Sequence, residues 1–158
     1  MSPMSLHQWV GRSFPSFEMA DHDGELRTLD SLKGAWNVIF FYPKDGSPGC
    51  SVQARTFAKF EDEFRSLKAN IYGVSNDSQT EHHRFKCATG GTYQFLTDEG
   101  GSLRKQLKLG TTLGLIPARV TFLLDPQGVI QWVYSNQFAV KRHVKKSLSI
   151  LAVKASNR

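Results

Sequence analysis

Trp36-Asn37-Val38-Ile39-Phe40-Phe41-Tyr42-Pro43-Lys44-Asp45-Gly46-Ser47-Pro48-Gly49-Cys50 passes from β-branched and aromatic residues into a Pro/Gly-rich turn. Trp36 to Tyr42 reads as a strand buried on both faces. A long helical pattern follows from about Ser51 to Leu67, with Phe57, Phe60, Phe64 and Leu67 at helical spacing. Cys50 therefore arrives at the first turn of a helix, directly after a buried strand and a tight turn.

Working outward, Asn70 to Ser75 reads as a second strand. It leads into a helix opened by Asp77 or Ser78 as N-cap and closed by Gly90-Gly91. Thr92 to Thr97 suits a short strand, and Ser102 to Leu109 a helix stopped by Gly110. Ala118 to Leu124, the turn Asp125-Pro126-Gln127-Gly128, and Val129 to Tyr134 make a hairpin. A C-terminal helix shows an apolar stripe at Val140, Val144, Leu148 and Leu151. Alternating strands and helices predict an α/β fold with a central mixed β-sheet flanked by helices on both faces. The thioredoxin-like fold is one such arrangement. No repeat or linker interrupts the pattern, so a single domain over residues 1–158 is expected.

Composition narrows the function classes. The chain has 158 residues, 40% hydrophobic and 22% charged, which argues against disorder, collagen-like and coiled-coil architectures. The longest apolar run, Val38 to Tyr42, is far too short to cross a bilayer. Met1 to Val10 lacks the continuous apolar core of a signal peptide. Two cysteines are too few for a secreted disulfide framework. The expectation is a reducing, cytoplasm-like compartment without membrane association, or an organelle stroma if a presequence has been removed.

The net charge of +6 gathers late, at Lys141, Arg142, Lys145, Lys146, Lys154 and Arg158. Without interleaved aromatics or a docking motif, these read as the solvated face of the last helix and not as a nucleic-acid surface.

Cys50 carries the chemistry. Free amides and the helix dipole at an N-terminus stabilise an anion, so a thiol there tends to ionise. Ser47, three residues earlier, can place a hydroxyl beside the sulfur. A cysteine can also be merely a small buried hydrophobe. Such a residue belongs inside a strand or on an apolar helical face, and Cys50 follows Ser-Pro-Gly at a strand-to-helix junction.

Pro43-x-x-x-Ser47-x-x-Cys50 resembles the peroxiredoxin signature. Phe-Tyr-Pro-Lys-Asp with Pro-Gly-Cys is similar to its bacterioferritin-comigratory (PrxQ) branch. Gly11, Pro15, Phe17, the Asp23-Gly24 turn, Leu29, Leu32 and Gly34 match the usual lead-in. Arg119-Val120-Thr121-Phe122-Leu123-Leu124-Asp125 resembles the strand carrying the family's active-site arginine. The likeness runs from Val10 to Leu151 and implies a thiol-dependent peroxidase of thioredoxin-like fold.

By that resemblance Cys50 is the peroxidatic cysteine, and Pro43, Ser47 and Arg119 complete the site. The thiolate attacks one peroxide oxygen and expels the other, so negative charge spreads along S–O–O. Arg119 would supply a permanent cation with forked donors. The Ser47 hydroxyl and nearby amides would donate to the peroxide oxygens. Pro43 would shield the thiolate and stiffen the turn. A thiol of pKa about 8.5 is about 3% ionised at neutral pH, so full ionisation gains at most roughly thirty-fold, about 2 kcal/mol. The donors around the transition state must therefore matter more than ionisation.

Many relatives in the branch carry a resolving cysteine five residues after the peroxidatic one, where this chain has Arg55. Gln53 stands where the family commonly has Glu, and Ser47 replaces the commoner Thr. The other thiol is Cys87, late in the helix after the second strand. Some members of the branch resolve from this helix, so the resemblance permits a Cys50–Cys87 disulfide, reached by local unwinding. The Gly90-Gly91 end and the polar Glu81 to Lys86 stretch make this the helix expected to fray. A one-cysteine enzyme resolved by an external thiol, and intermolecular pairing, stay open. His83, one turn before Cys87, could lower its pKa or simply be solvated.

His82, His83 and Cys87 cluster, but one helix supplies at most two useful ligands, and no metal or other cofactor is expected. The glycines at 90–91 and 100–101 read as turns, not phosphate loops. The implied partners are a peroxide, hydrogen peroxide or a small organic hydroperoxide, and a dithiol reductant such as thioredoxin. The branch is often monomeric, and a monomer is expected. A non-enzymatic peroxide sensor using the same thiolate is the rival from another class. A disulfide oxidoreductase lacks its Cys-x-x-Cys here, and Pro43, Ser47 and Arg119 point away from glutathione peroxidase.

Overall fold

A computed structural model describes residues 5–112 and 114–157. Met1 to Met4 of the N-terminal stretch, and Arg158 of the cationic set, lie outside the described residues. The chain opens with a short 3₁₀ turn, Leu6–Trp9, followed by β1 (Glu18–Ala20), β2 (Leu26–Thr28) and α1 (Leu29–Leu32). Next come β3 (Trp36–Phe41), α2 (Pro48–Lys59), α3 (Glu61–Ser66), β4 (Ala69–Ser75), α4 (Gln79–Thr89) and β5 (Gln94–Thr97). Then follow α5 (Ser102–Gln106), β6 (Thr111–Thr112), β7 (Ile116–Pro117), β8 (Val120–Leu124), β9 (Ile130–Ser135) and α6 (Val140–Ser156).

Five strands form the central sheet in the order β5-β4-β3-β8-β9. β3 pairs parallel with β4 and antiparallel with β8, so the sheet is mixed, as expected. All six residues of β3 are buried, and alternate side chains go to opposite faces. Ile39 and Phe41 join a core with Phe14, Leu103, Leu107, Phe122 and Ile130. Val38 and Phe40 join the other, with Tyr42, Cys50, Phe57, Phe64, Phe85, Phe95, Val144 and Leu151. Helices cover both faces unevenly: α2, α4 and α6 pack over the Cys50 side, while short α1 and α5 and the N-terminal segment cover the other.

Several expectations are corrected. The helix begins at Pro48, and the single helix to Leu67 is broken at Phe60, whose φ of −101° and ψ of 9° leave the helical region. Glu61, Asp62 and Glu63 fill the first turn of α3, where the helix dipole favours acids, so the chain restarts a helix there. Ala118 and Arg119 precede β8 and are not part of it. The helix read to Leu109 ends at Gln106. The N-terminal hairpin, α1 and the β6–β7 pair escaped notice because their individual strands and helix are only two to four residues long.

α4 opens with Ser78 as N-cap in a reciprocal capping box with Glu81 and ends at Gly90, φ 81°. In α6, Val144 and Leu151 are fully buried while Lys141, Arg142, Lys145 and Lys146 face solvent, as expected. No helix among the described residues is long and apolar enough to cross a membrane.

Candidate active site

β3 delivers the chain to the turn at 42–47, and α2 starts immediately after it. Pro48 takes the first helical position, where its missing N–H costs nothing. Cys50 is thus in the first helical turn, where backbone amides lack partners within the helix. Its side chain is only 1% exposed and packs in the core beside Tyr42 and Ala54.

Arg119 reaches it from the segment just before β8. The guanidinium Nη1 lies 3.5 Å from Cys50 Sγ and donates to Gln53 Oε1 at 2.5 Å. Arg119 is itself 4% exposed. The cation approaches over Gly49, where a Cβ would stand 3.3 Å from Nη2. A side chain at 49 would press on the guanidinium and ask it to shift by a few tenths of an ångström. Gln53 is fully buried, one helical turn from Cys50, and its Nε2 has no hydrogen-bond partner among the described residues. Sequence spacing places Gln53 and Cys50 on one helical face, but its pairing with Arg119, 66 positions away, is a tertiary fact.

The other candidates are placed differently. The Ser47 hydroxyl donates to the Lys44 carbonyl at 3.1 Å, so it braces its own turn and makes no hydrogen bond to the sulfur. Pro43 is half-buried at the end of β3, and Arg55 is exposed on α2. Both thiols are free, Cys50 buried and Cys87 exposed. On α4 the buried residues are His82, Phe85 and Thr89, and Cys87 lies off that stripe in the last turn. The stretch Glu81 to Lys86 is therefore anchored by His82 and Phe85, and the last turn by Thr89, which leaves Cys87 exposed on a helix held at both ends. His83 is exposed, its ring 6.3 Å from that of His22.

His82 belongs to a different cluster from the one expected. Its Nδ1 lies 2.7 Å from Asp45 Oδ2, while the Tyr42 hydroxyl donates to Asp45 Oδ1. Asp77 accepts the Asp45 backbone N–H at 2.8 Å and the Ser75 hydroxyl. Burial first, then the Asp45 charge, pushes Tyr42 well above its ordinary pKa, so it stays a neutral donor. Ligand atoms of Asp45, Asp77 and His82 lie within 4.8 Å of one another. Each already has a hydrogen-bond partner, and together they tie the 42–47 turn to α4.

Three further residues went unnoticed in the sequence. Arg104 donates to the Ala118 carbonyl at 2.8 Å. Burial lowers it to about 10, against the opposing charges of Asp98 and Cys50, so it remains a cation at neutral pH, over the Phe41 ring on the far face of the sheet. Gln137 accepts Arg119 Nε–H on its carbonyl at 3.1 Å and the Arg119 backbone N–H on its side chain at 3.2 Å. His143 is fully buried behind that segment. No short motif marks any of them.

The AhpC/TSA family matches residues 10–133. Chloroplastic peroxiredoxin Q of Oryza sativa subsp. japonica is 37% identical over 142 residues, 89% of this chain and 65% of that protein. The chain thus spans slightly less than two thirds of that relative's length. The structure of Xanthomonas campestris peroxiredoxin Q is similar with a TM-score of 0.82 and 29% identity, covering 88% of this chain and 91% of that one. A cysteine-to-serine variant of Xylella fastidiosa PrxQ gives a TM-score of 0.85 at 27% identity, over 98% and 99% of the two chains. A buried thiol at a helix start under a guanidinium, on a thioredoxin-like sheet with these likenesses, places the chain in the AhpC/TSA family, within the peroxiredoxin Q/bacterioferritin-comigratory branch.

Proposed function

We propose that the protein is a thiol-dependent peroxidase, with Cys50 as the peroxidatic cysteine. The observation that supports this most is the Arg119 Nη1 to Cys50 Sγ approach of 3.5 Å at the start of α2. The Cys50 thiolate attacks one oxygen of ROOH, the O–O bond breaks, and RO⁻ leaves and takes a proton to become ROH. Sulfur is oxidised to sulfenic acid and the peroxide is reduced.

Negative charge grows on both oxygens during the attack. The guanidinium and the first-turn amides are positioned beside the sulfur, in a site closed to water, where fixed donors act strongly. Arg119 Nη2 has no protein hydrogen bond among the described residues, which leaves it for the substrate. With Ser47 turned to Lys44, its contribution is to hold the turn that Pro43 stiffens.

For the second half of the cycle, Cys87 is proposed to condense with the sulfenic acid, losing water and forming a Cys50–Cys87 disulfide. A buried and an exposed thiol meet only if the end of α4, the start of α2, or both unwind. A dithiol such as thioredoxin then reduces the disulfide by exchange, and the protein works as a monomer with no metal. Steady-state consumption of hydrogen peroxide with a thioredoxin system tests this. Wild type should turn over repeatedly and Cys50→Ser should be inactive. A single stoichiometric oxidation without turnover would favour the peroxide-sensor reading instead.

A further inference from the structure

Arg119 is held from behind by a hydrogen-bonded hub, and the reading of its role rests on the peroxidase assignment above. The segment 136–139 joins β9 to α6 and contacts Arg119 at three points. Gln137 carbonyl accepts Nε–H at 3.1 Å, Gln137 Oε1 accepts the Arg119 backbone N–H at 3.2 Å, and the Arg119 carbonyl accepts Asn136 N–H at 3.3 Å. The segment is clamped in turn from two sides. Thr112 in β6 donates its hydroxyl to the same Gln137 Oε1 at 2.8 Å. From α6, His143 Nε2 lies 2.7 Å from the Asn136 carbonyl.

A carbonyl can only accept, so Nε2 carries the proton and Nδ1 is the acceptor for the Thr121 hydroxyl 2.8 Å away. His143 is fully buried, and both ring nitrogens are used. Tyr134 meets the ring edge-on with centroids 4.8 Å apart and receives an Asn136 amide bond at 3.2 Å. The imidazole is thus fixed in position, tautomer and plane.

We propose that Gln137 and His143 are positioning residues for the reaction. The Gln137 main-chain carbonyl orients the Arg119 guanidinium along its Nε edge, leaving the Nη face for Cys50 and the peroxide. The Gln137 side chain sets where that carbonyl sits by pinning its segment through Oε1 to the Arg119 backbone and to Thr112. His143 fixes the same Asn136–Gln137 backbone from α6. Charge stabilisation depends on donors being preset, and displacements of about 1 Å far from the chemistry can cost large factors in rate.

The test compares wild type, Gln137→Ala, His143→Leu and His143→Gln. It measures the bimolecular rate of Cys50 oxidation by hydrogen peroxide, the alkylation rate of Cys50 by iodoacetamide, and the thermal midpoint. Alkylation requires the thiolate but no peroxide-aligned donors. Gln137→Ala removes no core side chain and should lower the peroxide rate about tenfold while alkylation stays within about twofold. His143→Leu should do the same with a lower midpoint. His143→Gln, whose amide can stand in for Nε2–H, should recover most of the peroxide rate.

Unchanged peroxide rates in Gln137→Ala, or a parallel fall in alkylation, overturn the proposal even if His143→Leu fails to fold. Failure of His143→Gln to recover activity while folded overturns the part assigned to His143. A wild-type Cys50 that reacts no faster than a free thiol overturns the peroxidase assignment itself, and the hub with it.

Discussion

At the residue scale, Arg119 and His143 separate charge from position. Removing the guanidinium by Arg119→Ala should slow peroxide reduction by a hundredfold or more, beyond the roughly thirty-fold that ionisation alone can account for. Comparing stopped-flow peroxide rates with iodoacetamide alkylation checks this, and an equal loss in both would return the effect to ionisation. His143 predicts a pH effect on stability. Burial, first, and the nearby Arg119 charge lower its pKa from 6.5 to about 4, against the opposing hydrogen bond to Asn136. The unfolded chain therefore takes up this proton first as pH falls. The stability tied to His143 is complete above about 6.5 and is lost on the way down to about 4, by up to about 3 kcal/mol. Urea denaturation at pH 7 and pH 4.5 should show a larger drop for wild type than for His143→Gln; equal drops would contradict it. Cys50 and Arg119 were legible in the chain because a turn motif and a strand motif name them. His143 was not, because on α6 it sits between Arg142 and Val144, and the groups that define its role, Thr121, Tyr134 and Asn136, lie outside its helix.

At the element scale, the sheet was readable because β3 is a continuous buried run and β8–β9 brackets a Pro/Gly turn. The long helix was read too far because apolar spacing continued through Phe60, while three acids marked a new N-terminus that spacing does not register. Gly73 on β4 shows how tightly the strands are covered. It pairs with Phe40 on one side and Phe95 on the other, and a Cβ there would come within 2.7 Å of Phe95 and 2.8 Å of Phe40. Gly73→Ala should cost about 2 kcal/mol in chemical denaturation, and a neutral result would mean both rings shift freely. On α4, Phe85 is a large buried anchor two residues before Cys87. Phe85→Ala should lower stability by about 3 kcal/mol and speed the conversion of sulfenic acid to disulfide, because unwinding then gives up less buried surface. Quenched mass analysis over time reads this; a slower disulfide would show that α4 need not open.

For the whole molecule, the mixed sheet brings residues from opposite ends of the chain onto one thiol. The turn after β3 presents Cys50, the approach to β8 presents Arg119, the β9–α6 segment orients it, and α4 carries the second thiol on an exposed surface. Topology of this kind was legible from the alternation of elements, while the cross-chain contacts depend on packing that no local pattern encodes. The central claim is that Cys50 is oxidised by peroxide and resolved by Cys87 within one chain. Intact mass under non-reducing conditions, after one equivalent of hydrogen peroxide, tests it on wild type and Cys87→Ser together. Wild type should lose about 2 mass units as a monomer, and Cys87→Ser should gain oxygen at Cys50 instead. If wild type gains oxygen as the variant does, Cys87 is a bystander and an external thiol resolves the sulfenic acid. If neither mass changes, the peroxidase account is wrong.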